Sequence, residues 1–172
     1  MRNVVLVGVV ITLFWAWQPA AAQQPGQAQS NQELRQAIGQ LETIQKALKA
    51  VDHDYQGYRG AGMKEIRFAT EQLRNGLKFR AGKIQAADVN TPLPTAKFGP
   101  VPLKPNDPLP QLASDDVLRQ SISQIRAVEK ALGSVAHDYG GYKALAGRSL
   151  DLSIRHLEHA LKVKHSPGQQ GT

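Results

Sequence analysis

The residues best suited to chemistry sit in two short tracts. His53-Asp54-Tyr55-Gln56-Gly57-Tyr58-Arg59 returns further along the chain as His137-Asp138-Tyr139-Gly140-Gly141-Tyr142-Lys143. Each His-Asp pair offers an imidazole nitrogen and a carboxylate oxygen, donors that suit a divalent metal, with the tyrosines as outer hydrogen-bond partners. Were the two tracts to meet at one end of a bundle, His53, Asp54, His137 and Asp138 would supply four ligands. Two features oppose this. Adjacent residues on a helix point roughly 100° apart, and the Glu plus Glu-x-x-His pattern of di-iron bundles is missing. His156 and His159, three apart with His165 nearby, also have ligand spacing. Their counterparts in the first copy are Gln72 and Asn75, so they read as part of a solvated face.

The same tracts make a helix corner with no ligand at all, and this is the leading reading. Asp54 and Asp138 stand where a second helix should begin, and Asp is a strong N-cap. Gly57 and Gly141 permit an unusual dihedral or a close backbone approach. Tyr55/Tyr58 and Tyr139/Tyr142, three apart, would share a helix face and close the end of a core. His53 and His137 could then hydrogen-bond across the turn.

Signals of catalysis are absent from the sequence: no nucleophile elbow, no Gly-rich phosphate loop, no H-E-x-x-H and no cysteine. The reading is therefore a protein that is not an enzyme and needs no cofactor. Its formal charge is +7. Arg67, Arg74 and Lys78, flanked by Lys64 and Arg80, form a basic row, and Arg148, Arg155 and Lys162 form another. Such rows can hold anionic polymers or membrane headgroups, although the wet side of an amphipathic helix looks the same. Nucleic acid is a poor partner, since no basic motif is interleaved with aromatics.

Residues 1–22 read as a signal peptide. Arg2 precedes an uncharged apolar run from Val4 to Trp17, and Pro19-Ala20-Ala21-Ala22 supplies the small residues of a cleavage site. Removal leaves no transmembrane segment, lowers the charge to +6 by the loss of Arg2, and predicts a periplasmic or secreted protein. With no disulfide to staple it, the remaining chain must rely on apolar burial, enough for one domain.

Residues 23–30 read as a flexible tail, ended by the capping box Ser30-Asn31-Gln32-Glu33. Leu34, Ile38, Leu41, Ile44, Leu48 and Val51 then recur at helical spacing, as do Leu118, Ile122, Ile125, Val128, Leu132 and Val135, whose helix Ser114 or Asp115 would cap. A second stripe follows each: Tyr58, Gly62, Ile66, Ala69, Leu73 and Leu77, then Tyr142, Ala146, Leu150, Ser153, Leu157 and Leu161. By direct count, 14 of the 26 pairs between Leu34–Arg59 and Leu118–Lys143 are identical. One unit is used twice, without a gap: hairpin 1 over 31–84 and hairpin 2 over 114–164. Small residues at Gly62/Ala146 and Ala69/Ser153 predict a close helix approach near the turn. Between the units, 85–113 is a linker with seven prolines from Pro92 to Pro110, long enough to seat the second hairpin either way up. Residues 165–172 read as a disordered tail.

The fold expected is all-α: two homologous antiparallel hairpins packed as a four-helix bundle. The chain would be a monomer or a dimer that exchanges hairpins. The repeated His-Asp-Tyr-x-Gly-Tyr-(Arg/Lys) tract resembles a repeat of small exported bacterial proteins of uncharacterised function, which often read His-Asp-Tyr-x-Gly-His-Arg. His53-Asp54-Tyr55, Gly57 and Arg59 match, as do His137-Asp138-Tyr139 and Gly141; Tyr58 and Tyr142 replace the second histidine, and Lys143 the arginine. That replacement removes the best third metal ligand. The resemblance implies export and helical hairpins but no activity. The functional reading is an exported, non-enzymatic binding or structural module for an unidentified protein or anionic partner. The alternatives are a divalent-metal protein using the His-Asp turns, and adhesion to anionic polymer or membrane through the basic faces.

Overall fold

The computed structural model describes residues 25–51, 55–90, 92–93 and 111–163. Four α-helices, α1 (Pro25–Lys49), α2 (Tyr58–Arg80), α3 (Gln111–Ser134) and α4 (Tyr142–Val163), close one core, and a 3₁₀ turn over Tyr55–Gly57 precedes α2. The protein is an all-α four-helix bundle. Residues 1–22, read as a signal peptide, His53, Asp54, most of the proline-rich linker and residues 165–172, read as a disordered tail, lie outside the described residues.

The apolar stripes form the core. Leu34, Leu41, Ile44, Leu48 and Val51 are buried with Leu118, Ile122, Ile125, Val128, Leu132 and Val135, while Ile38 is only half-buried. Around the bundle the order is α1–α2–α4–α3, with α2 and α4 the most extensively packed pair. Small residues explain this. Gly62, Ala69, Ala146 and Ser153 are buried, the Ser153 hydroxyl donates to Gly62 O (2.9 Å), and a Cβ on Gly62 would come within 2.9 Å of Leu157. The close approach foreseen inside each hairpin therefore lies between hairpins. α1 and α3 face each other with Leu, Ile and Val instead, which hold them farther from such intimate contact.

Several boundaries need correction. α1 starts at Pro25, so 25–30 is helical and Ser30, 3% exposed, is a buried helix residue and not the cap of a flexible tail. Proline suits a first helical position, and Gln27, Ala28 and Gln29, beyond Gly26, have good helix propensity. α3 likewise starts at Gln111, which places Ser114 and Asp115 inside the helix, both buried. α2 ends with Gly82 at φ +70 and Lys83 N–H bonded to Lys78 O (2.9 Å), a left-handed C-terminal cap. Residues 85–89, read as the start of a free linker, instead strap the second corner. Ala87 N–H donates to Gly140 O (2.8 Å), Tyr142 Oη to Gln85 O (2.9 Å) and Arg148 Nη1 to Val89 O (2.5 Å).

Candidate functional site

Both corners turn on the same three-residue left-handed run. Tyr55, Gln56 and Gly57 have φ of 52°, 55° and 85°; Tyr139, Gly140 and Gly141 have 59°, 63° and 85°. Non-glycine residues there cost energy, so each tyrosine needs an anchor. Tyr55, 8% exposed, donates its hydroxyl to Asp115 Oδ1 at 2.8 Å, and Tyr139, 1% exposed, donates to Asn31 Oδ1 at 3.0 Å. Asn31 and Asp115 hold equivalent places in the two repeats, as do the tyrosines: each corner locks the start of the other hairpin. Burial first, then the hydrogen bond and negative charge of Asp115, push the Tyr55 hydroxyl well above the usual phenol range. Burial likewise raises Tyr139, opposed by Arg80. Arg59 Nη1 donates to Leu48 O (2.6 Å) in the last turn of α1, and Lys143 Nζ to Val135 O (2.8 Å) just past the end of α3.

These contacts revise the corner as read from sequence. The cap of α2 is Gly57 in the left-handed region with no side-chain bond, and Asp138 acts before α4 begins, its Oδ2 accepting from Gly141 N–H at 2.8 Å. The tyrosine pairs do not share a helix face, because Tyr55 and Tyr139 precede their helices. Tyr58 instead tilts over His159 (ring centroids 4.3 Å apart), and Tyr142 lies near Phe79 (6.4 Å). His137 is half-buried, edge-on to Tyr139 at 6.3 Å. His159 is exposed as foreseen, but His156 is half-buried, and burial followed by the neighbouring His159 lowers its pKa.

At their described residues the corners occupy opposite ends of the bundle, Tyr55 beside the start of α3 and Tyr139 beside the start of α1. Among the described residues no cluster of three or more His, Asp or Glu is placed to hold a metal. The basic rows are partly committed: Arg74 pairs with Glu42, Arg155 with Asp151 (2.8 Å), and Arg148 with the strap.

Two further features were not foreseen. The first is a buried acid in the α2–α4 seam. Glu65 is 2% exposed beside Ser149, its counterpart in the second repeat, yet neither Glu65 Oε2 nor Ser149 Oγ completes a hydrogen bond. Burial raises the Glu65 carboxyl above the usual range, opposed by Ser149 and Lys64.

The second is a groove of about 470 Å³ between α1 and α3. Gln36, Gln40 and Thr43 form one wall and Gln124 and Ala127 the other, over Ile44 and Val128. None of its lining residues is ionisable. The charged pairs Glu42–Arg74 and Arg126–Glu158 stand on the flanks, bridging α1 to α2 and α3 to α4. Gln36, Gln40 and Gln124 are exposed and bond to no described residue. The signal for this groove was present in the sequence as a helix face whose successive polar positions carry amide or hydroxyl but no charge.

Comparison with family models, with curated proteins and with solved structures returns no match.

Proposed function

We propose that the protein is an exported, non-enzymatic binding module, and that its ligand seat is the groove between α1 and α3. The groove carries this reading. It is the right size for a ligand site, within the roughly 300–1,000 Å³ common for such clefts, and the side-chain amides of Gln36, Gln40 and Gln124 are exposed and bond to no described residue. The conspicuous His-Asp-Tyr tracts, by contrast, spend their tyrosines, their basic residues and Asp138 on holding the corners together. Export rests on the charge, apolar run and small-residue site of residues 1–22.

The reading is tested with protein purified from the periplasm of a bacterial host and mixed with insoluble bacterial cell-envelope material. Wild type should co-sediment, and a groove-filled Gly39→Trp/Ala127→Trp variant should stay in the supernatant. Both sites are exposed and a Cβ on Gly39 meets nothing within 4 Å, so the fold should survive, as circular dichroism would check. An Arg67→Glu/Lys78→Glu variant on the basic face should sediment like wild type. If the filled variant sediments fully, or the charge variant alone is released, the groove is not the seat.

A further inference from the structure

We infer that the groove takes a neutral oligosaccharide. This rests on the reading of the groove as a ligand seat and names what sits there. The lining sets the chemistry. Three primary amides each both donate and accept hydrogen bonds, and the Thr43 hydroxyl, which donates to Gly39 O (2.9 Å), still accepts. A ligand that fills the groove must return both kinds of bond, because a desolvated amide left unpaired costs roughly 1–3 kcal/mol. With no ionisable lining residue, a formal charge on the ligand would lose its hydration and gain no counter-charge. That selects against anionic and cationic ligands.

The floor decides between a sugar and a docking peptide. Helix-in-groove and strand recognition draw on apolar anchors or an open sheet edge. Here Ile44 and Val128 are only 2% and 1% exposed, so the floor opens no apolar hole for an anchor side chain, and the carbon that the groove exposes lies along its walls. What carbon the groove does present is shallow: the stems of the glutamines, the methyls of Thr43 and Ala127, and the bare backbone of Gly39. Such a surface suits the C–H faces of sugar rings, whose hydroxyls point outward to the amides on each wall. The walls also correspond. Gln40 and Gln124 are equivalent positions of the two repeats, as are Ile44 and Val128, so similar groups approach the ligand from both sides. A chain of repeating sugar units, with like hydroxyls along its two edges, meets that arrangement.

The test follows the glutamine side-chain NH2 signals of isotope-labelled protein by NMR. Maltotriose, cellotriose and N-acetylated chitotriose are the probes, beside acetyl-trialanine amide as an uncharged peptide. At least one trisaccharide should shift the Gln40 and Gln124 signals saturably, with an affinity that holds up to about 0.5 M salt, where screening suppresses charge-driven binding. The near-isosteric double variant Gln40→Glu/Gln124→Glu should weaken it by about tenfold or more, equivalent to about 1.4 kcal/mol; Gln124→Ala alone should weaken it less. A saturable response to the capped peptide alone, or to none of the trisaccharides, overturns the saccharide assignment. In that event sedimentation separates the two ideas. If Gly39→Trp/Ala127→Trp still abolishes envelope binding, the seat stands and only its ligand was misassigned; if not, both fall.

Discussion

Tyr55 and Tyr139 occupy equivalent places but meet different partners, a buried carboxylate in one case and an amide in the other. Removing each hydroxyl should therefore have unequal effects. Tyr55→Phe takes a donor from Asp115, 1% exposed, and should cost about 2–3 kcal/mol in urea unfolding, whereas Tyr139→Phe should cost about 1 kcal/mol. Equal losses would mean that the charge on Asp115 adds nothing. Glu65 offers a second check with a definite sign. Its pKa is raised by folding, so the native state holds that proton more tightly than the unfolded chain. The penalty is absent below the unfolded carboxyl range near pH 4.3, and grows as pH rises from there toward the folded value. Glu65→Gln should thus raise stability at pH 7, and its advantage over wild type should shrink as pH is lowered to about 4. A pH-independent difference between the two proteins would sink that account.

The helices carry their own tests. Glu42–Arg74 and Arg126–Glu158 are the same pair in the two repeats with the charges exchanged. Each hairpin thereby favours its own two helices, because exchanging partners would bring Glu42 toward Glu158 and Arg126 toward Arg74. Both pairs are exposed, so a double-mutant cycle on Glu42→Arg and Arg74→Glu should give a coupling of only about 0.2–1 kcal/mol, with the double reversal recovering most of either single loss. Glycines should divide by position. Gly141→Ala strains φ +85 and drives a Cβ to 2.5 Å from Val89, for a loss of about 1–3 kcal/mol in chemical unfolding. Gly133, in α3 with nothing within 4 Å, should gain about 0.5–1 kcal/mol as alanine. The stripes that became the core were legible in the sequence because helical burial leaves a local 3.6-residue signature. The corners were legible only in part. Gly57 and Gly141 hinted at a left-handed backbone, but the tyrosines before them follow it only because distant Asp115 and Asn31 hold their hydroxyls. The uncharged helix face that lines the groove was legible too, but the opening itself was not, because it depends on small residues drawing α2 and α4 together while bulkier ones separate α1 and α3.

Taken together, the four helices answer which way up the second hairpin sits. α2 ends beside the second corner, and α3 begins beside the first, so the chain leaves the first hairpin at one end of the bundle and enters the second at the other. The strap shows its first steps, with Arg148 gripping Val89 O along α4 and so away from the α1–α3 groove. No described helix is long and apolar enough to cross a membrane. Export predicts that the chain recovered from a bacterial periplasm begins at Gln23, which intact-mass measurement would decide; a chain still starting at Met1 would count against it.

The reciprocal corner locks have a mechanical consequence. α1 enters at the end of the bundle where Tyr139 sits, and α4 leaves at the end where Tyr55 sits, about 36 Å away for a helix of 24 residues. Tension between Pro25 and Val163 would consequently run along the helices. It would load the α2–α4 seam and both tyrosine anchors in parallel, as shear, instead of peeling one helix away turn by turn. Anything attached at the two ends would be held apart by a stiff strut of that length.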